Sequence, residues 1–186
     1  VGLTGNLNGI FKPNEKNQHL GKLVFQIMKP QDNEGAGGSW GIGKTVYYRL
    51  GIGLIIYYSR IKLDNGDFQN RLVAALVEDE TKANGLLNSF DTESLGAAFF
   101  GEKYQANINN LRAITDENYI SNFLSFFKLK TFSGDKTGTT IIIPYIDENK
   151  VLHDNIPEEQ ENVWWHKSIE DYLKVSIARW YFPRLS

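Results

Sequence analysis

The stretch LIIYYSRIKLDNGDFQNRLVAALV, residues 54–77, decides the fold of this 186-residue chain. Its two halves, 54–63 and 68–77, are rich in β-branched and aromatic residues, which favour strands. Between them lies Asp64-Asn65-Gly66-Asp67, and an Asn-Gly pair is typical of a type I′ turn, whose two central residues both take positive φ. The sequence therefore predicts two antiparallel strands joined by a tight hairpin.

Regular elements are predicted on both sides of this hairpin. They are a short helix over 20–28, a helix over 44–50, irregular chain over 79–105, a helix over 117–129, a strand over 139–146 and a helix over 163–181. Asp116 is the predicted N-cap of the helix over 117–129. This order of elements predicts an α+β fold with a mixed, largely antiparallel sheet, in one domain spanning 1–186.

Two of the predicted helices carry apolar residues at three- and four-residue spacing, the pattern of a buried helix face. In the helix over 117–129 these residues are Tyr119, Ile120, Phe123, Leu124 and Phe127. In the C-terminal helix they are Trp165, Ile169, Tyr172, Leu173, Ser176 and Trp180. We expect this second stripe, together with Trp164 and Tyr181, to lie in the core; the alternative is an exposed aromatic surface that binds a partner.

Composition excludes several classes of protein. The chain has 20 basic and 22 acidic residues, a net charge of −2, so nucleic acid is not indicated as a partner. With no cysteine, disulfides and thiolate sites are excluded. The longest apolar run, 50–58, is too short to cross a bilayer. We therefore expect a cytoplasmic protein, and the opening at Val1 suggests a piece of a longer one.

A glycine-rich loop over 30–43 is the main candidate for function. It contains Gly38-Ser39-Trp40-Gly41-Ile42-Gly43-Lys44-Thr45, which matches the P-loop pattern GxxxxGK[ST]. A P-loop follows a buried parallel strand, whereas the residues before Gly38 are polar and glycine-rich, and the nearby strands form a hairpin. The alternatives are a flexible loop without a ligand and a nucleotide lid, in which backbone amides and Lys44 contact phosphates.

The lid interpretation rests on two sequence boxes. The residues Gly37-Gly38-Ser39-Trp40-Gly41-Ile42-Gly43-Lys44 resemble the lid box of the GHKL ATPases, which have the Bergerat fold, and 138–143 resemble that family's later Gly-Thr strand. The order of elements between the boxes also agrees, and the box with the following LIIYYSR is similar to bacterial GHKL-like proteins. The resemblance covers roughly residues 2–146 and implies a two-layer α/β sandwich with a lid at 30–43 and a C-terminal helix at 163–182.

The resemblance also implies a ligand and the residues that contact it. The ligand is ATP with Mg²⁺, hydrolysed slowly in the intact protein to drive lid closure and homodimer formation. The implied contacts are Gly37, Gly38, Ser39, Trp40, Gly41, Ile42, Gly43, Lys44 and Thr45 around the phosphates, and Thr139 near the adenine.

One departure from the family limits what this chain is expected to do. The family's catalytic Glu and Mg²⁺-binding Asn lie on an early helix as ExxxN, and its adenine-reading Asp lies in a DxGxG box. No ExxxN precedes the glycine loop, and no DxGxG occurs in the chain. We interpret Gly2-Leu3-Thr4-Gly5 as the end of such a box. The catalytic residues and the metal ligand are therefore expected outside this chain, and the alternative function is a module that binds nucleotide without hydrolysing it.

Other candidate groups point to no chemistry. His19, His153 and His166 lack the spacing of zinc ligands, and His166 is expected on a helix surface. The acidic runs 78–80 and 158–161 are expected to be solvated.

Overall fold

The computed structural model of the chain describes residues 2–8, 18–26, 42–78, 85–87, 96–103, 111–152 and 164–185. Its strands are β1 (Leu54–Lys62), β2 (Phe68–Val77), β3 (Ala97–Phe100), β4 (Glu102–Lys103), β5 (Leu111–Arg112) and β6 (Gly138–Ile142). Its α-helices are α1 (Ile42–Arg49), α2 (Glu117–Phe126), α3 (Glu148–Leu152) and α4 (Ile169–Leu185). One turn of π-helix spans Gly21–Phe25, and one 3₁₀ turn spans Trp164–His166.

A four-stranded sheet with the order β3-β2-β1-β6 organises the fold, and β4 pairs with β5 in a separate ladder. Every pairing among these strands is antiparallel. The fold is thus the predicted α+β class with a largely antiparallel sheet. Parallel strands, which a P-loop core requires, are absent from the described part of the chain.

The predicted hairpin is confirmed, with Lys62 opposite Phe68, but its turn differs from the predicted type I′. The amide of Gly66 donates to the carbonyl of Leu63, and within the turn only Gly66 takes a positive φ, +91°. This is the three-residue loop in which a type I turn is followed by a left-handed glycine. The side chain of Asn65 instead accepts from the amide of Asp67 and donates to its carboxylate.

The sheet buries side chains on both faces, because successive residues of a strand point to opposite sides. On one face, Ile55 and Tyr57 of β1 pack with the π-helical turn, with α1 and with the N-terminal residues. On the other, Ile56 and Tyr58 pack with α2. We call the segment Gly2–Gly5 the strap. The face of the sheet that the strap covers is the strap face, and the opposite face is the α2 face.

Helix α2 begins as predicted, since the carboxylate of Asp116 accepts from the amide of Tyr119 at 2.7 Å. It ends at Phe126, three residues early. The amide of Leu129 donates to the carbonyl of Leu124, and that of Lys128 to the carbonyl of Ser125. These two bonds define a Schellman motif, with Lys128 at the left-handed position, φ 56°. Of its predicted apolar face, Ile120 and Leu124 are buried.

Two predictions about strands need correction. The patch at 97–100, expected to be irregular, is strand β3, because its residues pair with the outer edge of β2 from Ala74 to Val77. Strand β6 ends at Ile142 instead of residue 146. Pro144 cannot donate a ladder hydrogen bond, and Tyr145 turns the chain with φ 53°.

The predicted buried stripe on the C-terminal helix is wrong at Leu173, and its other described members, Trp165, Ile169, Tyr172 and Ser176, are half-buried. Helix α4 begins at Ile169 and not at residue 163, and Leu173 on the stripe is 46% exposed. Trp164, also assigned to the core, is 59% exposed and meets Trp165 edge to face. No described side chain of α4 is buried. The side chains of Trp180 and Tyr181 lie outside the described residues.

Candidate functional site

The structure places the predicted lid residues only in part. Gly37, Gly38, Ser39, Trp40 and Gly41 lie outside the described residues, as does most of the loop over 30–43. Ile42, Gly43, Lys44 and Thr45 form the first turn of α1, and their side chains are not described. Ile42 and Gly43 are therefore helical, not part of the predicted loop.

Thr139 lies on β6 directly opposite Ser59 of β1. Its hydroxyl donates to the Ser59 hydroxyl at 3.4 Å, and Ser59 donates to the carbonyl of Gly138 at 3.1 Å. Ser59 is 1% exposed, and it shares the strap face with Tyr57 two residues before it. A small polar cluster thus lies next to the apolar cluster of Ile55 and Tyr57 on this face of β1, and it includes Thr139, which the resemblance places near adenine.

The strap crosses this cluster. The amide of Leu3 donates to the hydroxyl of Ser59 at 2.6 Å, and the carbonyl of Thr4 accepts from the amide of Leu20 at 2.9 Å. Gly2 lies so close to β1 that a Cβ would collide with the carbonyl of Arg60. At Gly5, φ is +102° and a Cβ would lie 2.9 Å from the Cα of Gln18. Both glycines are required by this close packing.

A buried arginine holds the strap from the second strand. Arg71 of β2 lies opposite Ser59 in the register and is 5% exposed. Its Nη1 donates to the carbonyl of Leu3 at 2.9 Å and to that of Gly5 at 2.7 Å. Its Nε donates to the side chain of Gln69 at 3.0 Å. Burial lowers the pKa of this guanidinium to about 10. Two backbone carbonyl dipoles of the strap thus stabilise the positive charge of Arg71.

Helix α1 is anchored on the same face by two tyrosines. The hydroxyl of Tyr48 lies 3.3 Å from that of Tyr57, and both side chains are buried. Residues 50–53 return the chain from α1 to β1. Tyr48 near the helix end thus meets Tyr57, the fourth residue of the strand, and this end of α1 shares the apolar cluster of the strap face with Leu3.

Three segments far apart in sequence thus meet on the strap face: the strap, helix α1 and the start of β6. Sequence reasoning identified all three but missed Ser59 and Arg71. The sequence did contain a signal for them. Ser59 is two residues from Tyr57, and Arg71 is two residues from Val73, so each polar side chain points to the same face of its strand as a buried apolar one. A polar side chain at an inward position of a buried strand needs hydrogen-bond partners, which marks it as structural or functional.

A groove of about 770 Å³ lies on the α2 face between β4, β5 and the start of α2. Its charged groups already have partners. Arg112 makes a two-bond ion pair with Glu102, at 3.1 Å for each bond, and Asp116 caps α2. Without a charged group directed at a ligand, this groove is the weaker candidate.

Two further expectations concern metals and acids. In the portion of the chain that the structure covers, no group of three His, Asp or Glu side chains is arranged to hold a metal. Glu78, expected to be solvated, is structural: its carboxylate accepts from the amides of Leu86 and Leu87 at 2.8 and 2.7 Å. His19 lies 3.0 Å from the Thr4 hydroxyl, beside the strap.

Comparisons with protein-family models, with curated proteins and with solved structures found no match. Nor does any helix among the described residues have the length and apolar character to cross a bilayer.

Proposed function

We propose that this chain is the lid-bearing part of a GHKL-type ATP-binding domain, with ATP bound on the strap face. The observation that carries the proposal is that the strap, helix α1 through Tyr48, and Thr139 through Ser59 all lie on that face. The glycine boxes suggested these segments independently of one another, and a binding site requires that they lie together.

The chemistry of the segments suits a nucleotide. The first turn of a helix presents free amides and the positive end of its dipole, which favour phosphate. In this proposal the helix-start amides of Ile42–Thr45 and the side chain of Lys44 bind the phosphates, and Gly37–Gly41 wrap them. Thr139 and the strap form the wall against the base. The catalytic Glu and the Mg²⁺ ligand come from residues outside this chain.

In the intact protein, lid closure on ATP and slow hydrolysis would drive homodimer formation in the cytoplasm. A module that binds ATP without hydrolysing it remains the second candidate, favoured by the absence of an ExxxN motif ahead of the glycine loop. The P-loop alternative is disfavoured, since β1 and β2 pair antiparallel and not through a parallel crossover.

Titration of ATP into the intact protein, followed by calorimetry, tests the proposal. Lys44→Ala removes a charge-assisted bond worth about 1.5–3 kcal/mol, so affinity should fall roughly ten- to a hundredfold while folding stays nearly unchanged. Lys62→Ala, at the exposed end of β1, is the matched control and should bind ATP normally. Equal affinity of the two variants, or no binding by the wild type, would reject the proposal.

A further inference from the structure

The strap is held at both ends by groups that its own sequence does not supply. From β1, Ser59 accepts from the amide of Leu3. From β2, Arg71 donates to the carbonyls of Leu3 and Gly5. Glycine is the residue with the most conformational freedom to lose, so a segment with glycine at each end is ordered only where such bonds offset the entropy.

We infer that Arg71 is a positioning residue for the nucleotide base: its guanidinium fixes the strap against Ser59 and Thr139, and so shapes the wall that contacts the base. At 5% exposed, Arg71 does not itself reach a ligand. The inference rests on the proposed function. It adds that a residue of β2, outside both glycine boxes, determines part of the affinity for the base of the nucleotide.

The geometry explains why an arginine is used here. One Nη1 serves two carbonyls of the same segment, and the planar guanidinium also directs Nε to Gln69. A lysine offers a single, flexible ammonium and loses its proton more readily when it is buried. An apolar side chain would leave both carbonyls without these bonds.

The first test measures the strap directly, without nucleotide. Hydrogen exchange of the Leu3 and Leu20 amides, both bonded across the strap, should speed up in Arg71→Met and remain near wild type in Arg71→Lys at neutral pH. As pH rises, exchange in Arg71→Lys should exceed the wild-type rate at the same pH, because the buried ammonium discharges first. Two other titratable groups face this segment: His19 lies 3.0 Å from the Thr4 hydroxyl, and Tyr57 lies on the strap face, where burial raises its pKa.

The second test separates the base from the phosphates. Freeing the strap means that it must be re-ordered at every binding event, which lowers affinity about tenfold for each residue ordered. Arg71→Met should therefore weaken ATP and adenosine by the same factor, whereas Lys44→Ala should weaken ATP alone. Arg71→Lys should restore most of the affinity at neutral pH.

Arg60→Met is the matched control, because its Nη1 also donates to two carbonyls, those of Gly134 and Lys136, away from the strap. It should leave strap exchange and adenosine binding unchanged. Two results for Arg71→Met would overturn the inference about Arg71. One is faster exchange of the strap amides with unaltered affinity for adenosine, and the other is no increase in exchange at all. If the wild type binds neither ATP nor adenosine, the proposed function fails and the role in base binding fails with it, while strap exchange still decides whether Arg71 anchors the segment.

Discussion

The phenol oxygens of Tyr48 and Tyr57 lie 3.3 Å apart in the interior of the protein and join helix α1 to strand β1. Tyr57 is fully buried and Tyr48 is 8% exposed. Burial raises the pKa of both phenols, and the hydrogen bond between the two hydroxyls raises that of Tyr57 further. The neutral pair is therefore the stable form, and it fixes the helix that bears Lys44.

Tyr57→Phe should lower the free energy of unfolding at pH 8 by about 1–3 kcal/mol, because the Tyr48 hydroxyl loses its partner. Above pH 10 tyrosines ionise in the unfolded chain, while Tyr57 in the folded protein stays neutral. Wild-type stability should thus fall with rising pH, and its advantage over the variant should shrink by about 1 kcal/mol between pH 10 and 11. Urea unfolding at each pH measures this.

Arg71 also titrates near this range, but it is present in both proteins and cancels in the difference. Tyr145→Phe is the control, because Tyr145 is 78% exposed and its change should leave stability unaltered. A difference between wild type and Tyr57→Phe that stays constant up to pH 11 would show that Tyr57 ionises normally in the fold.

The hairpin shows how far local sequence determines local structure. Asn65-Gly66 correctly predicted an antiparallel hairpin, since either kind of turn needs a left-handed residue and only glycine takes it freely. The type of turn was not predictable in this way. Asp67 provides both a donor and an acceptor for the Asn65 side chain, and those bonds accompany the longer loop.

The two turn types predict different effects of substitution. In the observed turn only Gly66 has positive φ, so Gly66→Ala should cost about 1–2 kcal/mol of stability and Asn65→Ala much less. A type I′ turn would make both costly. Thermal or urea unfolding of the two variants distinguishes these cases, and equal losses would contradict the observed turn.

The sequence predicted those parts of the candidate site that consist of consecutive residues. It did not predict those that depend on how the strands pair. The glycine loop and Gly138-Thr139 are local patterns. Arg71 and Ser59 became partners of the strap only through the register that sets them opposite each other. The prediction for helix α4 was wrong at Leu173 for the converse reason: an apolar residue on a helix is buried only where another element covers it, and Leu173 is exposed.

Lys128 offers a substitution that should stabilise the protein. It occupies the left-handed position of the Schellman motif that ends α2, where a side chain costs about 1 kcal/mol and glycine is the usual residue. Lys128→Gly should raise the free energy of unfolding by about 0.5 kcal/mol after the added entropy of the unfolded chain is deducted. Lys130→Gly, outside the motif, should give no gain, and urea unfolding compares the two. A loss of stability in Lys128→Gly would show that its side chain contributes more than its backbone conformation costs.

The isolated 186-residue chain should bind ATP weakly at best and should not hydrolyse it, since no general base or Mg²⁺ ligand is assigned to it.

Glu78 is the informative residue for this prediction, because in a P-loop protein an acid at the end of strand 68–77 would bind the metal. In this structure its carboxylate instead accepts from the amides of Leu86 and Leu87. Glu78→Gln weakens those bonds, so it should lower stability by about 1 kcal/mol. Phosphate release and urea unfolding measure the two effects on the same preparations. A genuine turnover of ATP by the wild type, abolished in Glu78→Gln while stability is retained, would mean that the chemistry belongs to a different site from the one proposed on the strap face.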